Sequence, residues 1–273
     1  MKMQREHLAV IAPVRPMFDE CHHGDGDALA TALARCVADD LRSALDQRGE
    51  AKLALSGGTT PLRFLQALSR EALEWSRVQV LPVDERWLPP LHRRSNERLL
   101  REHLLQNAAA TANLLSLFRP VATPECALQA VLTQVALRGL PLDVAVLGMG
   151  VDGHFASLFP DLPRRDIGLQ AGGRAPVLAV RSSAAPEPRM SLTLSAIFTA
   201  PSLYLHIEGD TKRRVLETAI EDPRSRLPIR AFMAQAPVPP RVFWCPDVAA
   251  ARGNDGATGE RSAYDALRST GAA

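Results

Sequence analysis

A histidine that follows an aspartate by two residues lies in a glycine-rich segment of the chain. Asp152 lies between Gly150 and Gly153, His154 directly follows Gly153, and the segment, which begins at Gly148, comes directly after an apolar run. Histidine is the side chain whose ordinary pKa best suits proton transfer near neutral pH. We therefore expect His154 to be a catalytic base and acid and Asp152 to orient its imidazole. The alternative is that His154 only caps the helix that follows.

The same glycines match the G-x-G-x-x-G fingerprint of dinucleotide-binding proteins. In those proteins an acidic residue follows the next strand and binds the ribose hydroxyls. The next predicted strand here, residues 177–180, is followed by Arg181 instead. The segment therefore favours proton chemistry over a bound pyrophosphate.

A second glycine-rich turn joins a predicted strand to a predicted helix. Glycines let the backbone approach a ligand closely, and the free N–H groups at a helix N-terminus attract anions. The turn lacks the Gly-Lys-[Ser/Thr] of a nucleotide-binding P-loop. It predicts a phosphate site, the alternative being a tight turn with capping hydroxyls. Its residues are Ser56, Gly57, Gly58, Thr59 and Thr60.

Charged side chains at three other places are candidates for binding a substrate. Asp84, Glu85 and Arg86 follow a predicted strand and place two carboxylates beside a guanidinium. The alternative for this group is a surface ion-pair cluster, which contributes little energy. Arg189 and Lys212 are cations of the kind that bind phosphate, although lone basic residues are usually solvated charges.

The elements that position these residues follow from the apolar pattern. Strands alternate with helical stretches, which predicts a single α/β domain with a Rossmann-like, mostly parallel sheet and helices on both faces. Ligands bind outside the carboxyl ends of such strands, so the turns 56–60, 84–87 and 148–154 are expected to meet at one mouth. The predicted strands are 8–12, 51–55, 78–83, 142–147, 177–180, 202–207 and 241–244. The predicted helices are 27–48 with Gly49 as its stop, one after Pro61, one capped by Ser95, 125–138 with Gly139 as its stop, 191–197 and 211–221.

Composition excludes several other classes of protein. The 273 residues include 32 Lys and Arg against 30 Asp and Glu, for a formal net charge of +2. This near balance argues against a nucleic-acid-binding face. No apolar run approaches the roughly 20 residues that span a bilayer. The four cysteines have no C-x-x-C pair or zinc-site spacing, which predicts reduced thiols in a cytoplasmic protein without a metal site.

The domain boundary is expected near the C-terminus. Residues 252–273 are rich in Gly, Ala, Ser and Thr and contain few large apolar side chains. Such a composition predicts a disordered tail after an α/β domain of residues 1–251. Residues 161–175 are predicted to form an exposed loop.

Taken together and in order, several segments resemble the 6-phosphogluconolactonase family. The most specific of them is Leu147–Pro160, with its pattern G-x-G-x-D-G-H-x-A-S-L-F-P. The resemblance covers about residues 8–251. The other matching segments are 55–61, 83–86, Ser95-Asn96, 189–193 and 242–251.

The resemblance implies a sugar-phosphate isomerase/deaminase-like fold and hydrolysis of 6-phosphoglucono-δ-lactone to 6-phosphogluconate without a metal or organic cofactor. It implies that His154 moves the protons, that Asp152 orients it, and that Arg86 and backbone N–H groups stabilise the oxyanion. A phosphosugar lactone is then the expected partner, with no nucleic acid, no membrane and a monomeric chain. The expected substrate- and phosphate-binding residues are Ser56, Gly57, Gly58, Thr59, Thr60, Asp84, Arg189 and Lys212.

The chain departs from the family pattern at two positions, and its sequence leaves two other functions open. Phe155 stands where the family commonly has threonine, which predicts a missing hydroxyl donor near the carbonyl, and Arg230 is a bulky variant within a Leu-Pro segment. Glucosamine-6-phosphate deaminase shares the Asp-Gly-His element, but its motif continues toward Phe-Asn-Glu-Pro. This chain has Ser157–Pro160 there, without a carboxylate. A non-catalytic phosphosugar-binding protein is the other alternative.

Overall fold

The computed structural model of the chain describes residues 18–162 and 165–247. The predicted strand 8–12 and the predicted tail 252–273 lie outside these residues. The strands in the described ranges are Asp19–His22 (β1), Ala51–Leu55 (β2), Val78–Pro82 (β3), Asp84–Arg86 (β4), Asn113–Leu114 (β5), Val144–Gly148 (β6), Val177–Val180 (β7), Arg189–Leu192 (β8), Ser202–Glu208 (β9) and Arg241–Cys245 (β10). The helices there are Gly26–Arg48 (α1), Leu62–Leu68 (α2), Asn96–His103 (α3), Pro124–Gln134 (α4), Arg165–Leu169 (α5), Leu194–Ile197 (α6), Asp210–Glu221 (α7) and Pro228–Gln235 (α8).

The main sheet is parallel throughout the described residues. Seven strands of these ranges form it in the order β1-β10-β9-β6-β2-β3-β5. Side chains alternate between two apolar clusters, one on each face: Val144 and Val146 join the cluster with α1 and α2, whereas Ala145 and Leu147 join the other. A sheet buried on both faces is the architecture that the strand–helix alternation predicts, so the predicted fold class is confirmed.

A second, small sheet corrects part of the sequence prediction. β4, β8 and β7 pair antiparallel, with β8 in the middle. The segment 84–87 is therefore a strand followed by a turn, and the predicted helix 191–197 is wrong in its first part, because Arg189–Leu192 is a strand and the helix begins at Leu194. The physical reason is that β8 is hydrogen-bonded to β4 on one side and to β7 on the other. The Leu192 N–H also donates to the carbonyl of Val83, the residue between β3 and β4.

Local signals set the helix ends. The Asp25 carboxylate accepts hydrogen bonds from the N–H groups of Asp27 and Ala28, at 3.0 and 2.8 Å, and so begins α1. Gly49 ends it in the left-handed conformation, with φ 74°. Ser95 caps α3 through the Arg98 N–H at 3.2 Å, as predicted.

Besides β4 and β8, four elements were not predicted, one of them the two-residue strand β5. β1 is a polar edge strand that pairs only with β10 within the described ranges, and α8 is a short helix that starts at Pro228. α5 lies within the predicted exposed loop 161–175. Each is short, so the apolar periodicity that signals an element is weak in its sequence.

The strand order places the candidate turns together. β2 lies between β3 and β6, and β6 is also paired with β9. The turn 56–60 follows β2, the turn 148–154 follows β6, and β4 follows β3 after a single residue. Because all these strands run parallel, their carboxyl ends open at the same edge of the sheet.

Candidate active site

A cavity of about 240 Å³ opens at this edge of the sheet. It is lined by both glycine-rich turns, by side chains of β4 and β8 and by the first turn of α7. The three sequence-distant segments therefore meet at one mouth as predicted, although one of them, Asp84–Arg86, is a strand and not a turn. The predicted site residues in its wall are Ser56, Gly57, Gly58, Thr59, Thr60, Asp84, Arg86, His154, Arg189 and Lys212.

Asp152 and His154 form a hydrogen-bonded pair, of which His154 lines the cavity and Asp152 does not. The His154 Nδ1 lies 2.5 Å from Asp152 Oδ1, and the same carboxylate oxygen accepts the His154 backbone N–H at 3.2 Å. A carboxylate can only accept, so it holds the tautomer in which Nδ1 carries the proton. Nε2 is then left with a lone pair, in a side chain that is 30% exposed. This arrangement makes Nε2 a base for a water or substrate proton.

Gly150 is required by the packing of this pair. A Cβ added to Gly150 would lie 2.4 Å from His154 Nδ1 and 2.6 Å from Asp152 Oδ1. The neighbouring Gly153 has φ 73°, a conformation that favours glycine, and its N–H donates to the Gly150 carbonyl at 3.0 Å. The glycines of the fingerprint thus shape a tight turn around the two polar side chains.

The first glycine-rich turn is tied to the second through Ser56. The Ser56 Oγ accepts the Gly148 N–H at 2.9 Å, and its own N–H donates to the Val146 carbonyl at 3.0 Å. Gly58 has φ 97°, which favours glycine at the tip of the turn. The turn leads into α2, so its backbone N–H groups and the helix dipole attract an anion.

Lys212 reaches this turn from the opposite wall. Its Nζ donates a hydrogen bond to Thr60 Oγ1 at 3.0 Å. Burial lowers the pKa of Lys212, because it withdraws the ammonium from water. Lys212 thus places a cation beside the turn at which the sequence predicts a phosphate site.

Asp84 lies in a buried polar network at the base of the cavity. Its carboxylate accepts hydrogen bonds from Ser157 Oγ at 2.5 Å and from Asn96 Nδ2 at 3.1 Å. The Arg189 guanidinium is 3.5 Å from the same carboxylate. Asp84 is 6% exposed, so the surface ion-pair alternative for this segment is wrong. The geometry suits an anchor for Arg189.

Glu85 points away from the network and caps α3. Its two oxygens accept the backbone N–H groups of Arg86, Asn96 and Glu97 at 2.8, 2.8 and 2.7 Å. The side chain is fully buried, and burial raises the pKa of Glu85 to about 7 against the opposing effect of these hydrogen bonds. Glu85 therefore fixes the position of α3 relative to β4.

Arg86 and Arg189 are cross-strand neighbours. They pair directly in the antiparallel β4–β8 ladder, and both line the cavity. The Arg86 Nη1 donates to the Arg94 carbonyl, while burial lowers the pKa of Arg189. Two guanidinium groups side by side provide donors for a developing oxyanion or a bound anion.

Sequence reasoning missed Asn96, Ser157 and His206 as site residues. The Asn96 and His206 side chains line the cavity, and Ser157 holds Asp84 from below. His206 is 2% exposed, its Nε2 lies 3.1 Å from Glu208 Oε1, and burial lowers its pKa. Asn96 and Ser157 stood within motifs already singled out, whereas His206 lies in an apolar strand with no local polar signal.

The two departures from the family pattern fall outside the cavity wall. Phe155 is fully buried and packs against Phe232 of α8, with 5.6 Å between ring centroids. The side chain at this position faces the apolar core and is not part of the cavity wall. Arg230 donates to the carbonyls of Ala219 and Ile220, which end α7, at 3.1 and 3.0 Å.

Two other kinds of site are absent from the described part of the chain. None of their helices is both long and apolar enough to cross a membrane. Among residues 18–162 and 165–247, no group of three His, Cys, Asp or Glu side chains is arranged to hold a metal ion.

Known proteins are similar to this chain in both sequence and fold. The family profile "Glucosamine-6-phosphate isomerases/6-phosphogluconolactonase" matches residues 24–244. A 6-phosphogluconolactonase of Mesorhizobium japonicum is 46% identical over 224 residues, 81% of this chain and 93% of that relative. One of Rhizobium meliloti is 43% identical over 220 residues, 80% of this chain and 95% of that relative.

A solved structure supports the same assignment. The crystal structure of a 6-phosphogluconolactonase from Shewanella baltica matches with a TM-score of 0.81 and 38% identity, covering 85% of this chain and 99% of that one. The range matched by the family profile, residues 24–244, spans both glycine-rich turns. The chain therefore belongs to the glucosamine-6-phosphate isomerase/6-phosphogluconolactonase family.

Proposed function

We propose that the chain hydrolyses 6-phospho-D-glucono-1,5-lactone to 6-phospho-D-gluconate, the second step of the oxidative pentose phosphate pathway. The observation that carries the proposal is the Asp152–His154 pair, at 2.5 Å, whose histidine lies in the wall of a cavity that also holds cationic side chains. A lactone carbonyl needs a base and oxyanion donors, and a distant phosphate needs cations and amides. Relatives 43% and 46% identical bear the name of this activity.

His154 begins the reaction as a base. Its Nε2 takes a proton from a water while the water oxygen forms a bond to the lactone carbonyl carbon. The carbonyl electron pair moves onto the carbonyl oxygen, and the imidazole becomes an imidazolium. Asp152 stabilises that cation through the Nδ1–H hydrogen bond. Positioned proton transfer of this kind contributes about 10²–10⁴-fold to the rate.

The tetrahedral intermediate then collapses. The carbonyl re-forms, the bond between the carbonyl carbon and the ring oxygen breaks, and the proton on Nε2 passes to the ring oxygen. His154 returns to its neutral form, and the product is a carboxylic acid that ionises in water. Backbone N–H groups of the glycine-rich turns and the Arg86 guanidinium are the proposed oxyanion donors, each contributing up to ~3–4 kcal/mol.

The phosphate is proposed to bind at the N-terminus of α2. Gly57, Gly58 and Thr59 supply N–H groups and a hydroxyl there, and Lys212 and Arg189 supply charge. Ser56, Thr60 and Asp84 are proposed to hold this wall in place through their hydrogen bonds. The phosphate is far from the reacting carbon, so its binding energy serves to orient the lactone.

The chemistry requires no metal or organic cofactor. We propose that the enzyme acts as a cytoplasmic monomer on a small phosphosugar, without nucleic-acid or membrane partners. Residues 1–251 are proposed to form the single catalytic domain.

A coupled assay tests the proposal. Glucose-6-phosphate dehydrogenase generates the lactone in the cuvette, and 6-phosphogluconate dehydrogenase reports the product through a second reduction of its nucleotide. The expected result is product formation in proportion to the added chain, above the spontaneous hydrolysis in buffer. A rate equal to that of buffer alone, with phosphosugar binding intact, would instead support a non-catalytic binding protein.

The deaminase alternative is tested in parallel. Its motif places a carboxylate directly before the proline, whereas this chain has Phe159 before Pro160. Phe159 packs on the His154 ring and brings no charge to that position. We therefore expect no ammonia from glucosamine-6-phosphate, and ammonia release at a rate comparable to lactone hydrolysis would contradict the proposed function.

A further inference from the structure

An aromatic ring packs directly on the proposed catalytic imidazole. The centroids of the Phe159 and His154 rings are 4.5 Å apart, and the ring planes are inclined by 34°. Phe159 is only 4% exposed, so its own position is fixed by surrounding side chains. This tilted pair has a centroid separation within the range that aromatic pairs favour.

The same ring also lies near a guanidinium. The Arg189 Cζ is 6.0 Å from the centroid of Phe159. Arg189 in turn is held by Asp84, at 3.5 Å. Phe159 therefore contacts both the base and one of the cavity cations, and it offers each of them a π-face.

His154 changes charge during the proposed reaction, and this gives the stacking a catalytic consequence. The face of an aromatic ring attracts a cation more than a neutral group. Phenylalanine has no hydrogen-bonding atom, so it does not compete with Asp152 for the imidazole N–H. The ring thus favours the imidazolium and leaves the Nδ1 hydrogen bond undisturbed.

We propose that Phe159 is a positioning residue for lactone hydrolysis, which fixes the plane of the His154 ring against Asp152 and stabilises the imidazolium as it forms. The inference rests on the proposed function. The charged groups that face this pair are Asp152 on its own turn, Arg86 and Arg189 on the small sheet and Lys212 on α7. Changing Phe159 leaves these charged side chains in the chain, although it also removes the aromatic ring that lies 6.0 Å from Arg189 Cζ.

The chain offers a matched control in the same segment. Phe155 is four residues earlier, is equally buried, and packs against Phe232 in the core. The variants Phe159→Leu and Phe155→Leu therefore remove the same ring from two environments, of which only one touches the base. Phe159→Tyr restores an aromatic face at the proposed position.

Steady-state kinetics in the coupled assay give the first test. Phe159→Leu is expected to lower kcat about five-fold with KM within about two-fold of the wild type, since a partly exposed cation–π contact is of that strength. The acidic midpoint of kcat/KM is expected to fall by about 0.7 pH unit, because the imidazolium is less stabilised. Phe155→Leu and Phe159→Tyr are expected to keep kcat within about two-fold of the wild type. A wild-type kcat in Phe159→Leu, or an equal loss in Phe155→Leu, would overturn the proposal.

A titration of the free protein separates this inference from the proposed function. The ring signals of His154, followed by NMR against pH, are expected to titrate at lower pH in Phe159→Leu and at the wild-type pH in Phe155→Leu. An unchanged midpoint in Phe159→Leu would contradict the role of the ring even if the chain hydrolyses the lactone. Absence of lactone hydrolysis by the wild type would instead refute the proposed function, whatever the titration shows.

Discussion

Replacing Gly150 with alanine should separate the two residues of the proposed catalytic pair. The added Cβ would lie 2.4 Å from His154 Nδ1 and Cε1 and 2.6 Å from Asp152 Oδ1. Ordinary contacts of a Cβ begin near 3.4 Å, so the imidazole has to move by about 1 Å. A misplacement of that size in a catalytic group costs about 10²-fold. We therefore expect kcat of Gly150→Ala to fall by about 100-fold.

Gly148 supplies a control two residues earlier in the same segment. A Cβ added there would meet its nearest atom, Ser56 Cβ, at 3.8 Å, which is an ordinary contact. Gly148→Ala is thus expected to keep kcat within about two-fold of the wild type, since a van der Waals contact at 3.8 Å causes little strain. The coupled assay gives kcat and KM for both variants, and circular dichroism shows that both are folded. A wild-type kcat in Gly150→Ala, or an equal loss in Gly148→Ala, would refute the reasoning.

Four further substitutions test other parts of the site. Asp152→Asn is expected to lower kcat by about 100-fold in the coupled assay, because an amide does not hold the imidazole in the required tautomer or stabilise its cation; an unchanged kcat would mean that Asp152 does not orient the base. Lys212→Ala and Arg189→Ala are expected to raise KM about ten-fold or more with a smaller effect on kcat, because charge-assisted hydrogen bonds to phosphate are lost. Wild-type KM values in both variants would show that the phosphate binds elsewhere. His206→Phe is expected to reduce the loss of thermal stability in acid. Burial lowers the pKa of His206 below its ordinary 6.5, so below that pH the unfolded chain binds more protons than the folded chain. The stability that neutral His206 contributes is therefore complete above pH 6.5 and is lost as the pH falls toward the lowered pKa. Melting temperatures between pH 5 and 8 measure this, and parallel curves for the two proteins would contradict it.

Local signals in the sequence predicted the main sheet and much of the cavity wall. The steps of three and four along α1, the apolar strands and the glycine-rich turns are each encoded within a few neighbouring residues. The meeting of the turns then follows from the rule that parallel strands open their carboxyl ends at one edge. This is why Ser56 and His154 could be assigned to one mouth although 98 positions separate them.

The remaining features depend on contacts between distant segments. β4 and β8 each contain polar residues, and they become strands by pairing with each other and with β7. The hydrogen bonds of Asp84 join it to Asn96 and Ser157, which come from α3 and from the turn after His154. No periodicity within one segment carries such information, so the sequence left Asp84 open between a substrate ligand and a surface ion pair.

The most direct measurement is the turnover number of His154→Ala. In the proposed mechanism this imidazole transfers the protons, whereas the α2 N-terminus and Lys212 bind the phosphate. Catalysis and phosphate binding are therefore separable. We expect kcat to fall by about 10²–10⁴-fold in the coupled assay. Calorimetry should meanwhile show 6-phosphogluconate binding within about three-fold of the wild type, since less than 1 kcal/mol of ground-state contact is lost. A kcat equal to that of the wild type would contradict the central claim.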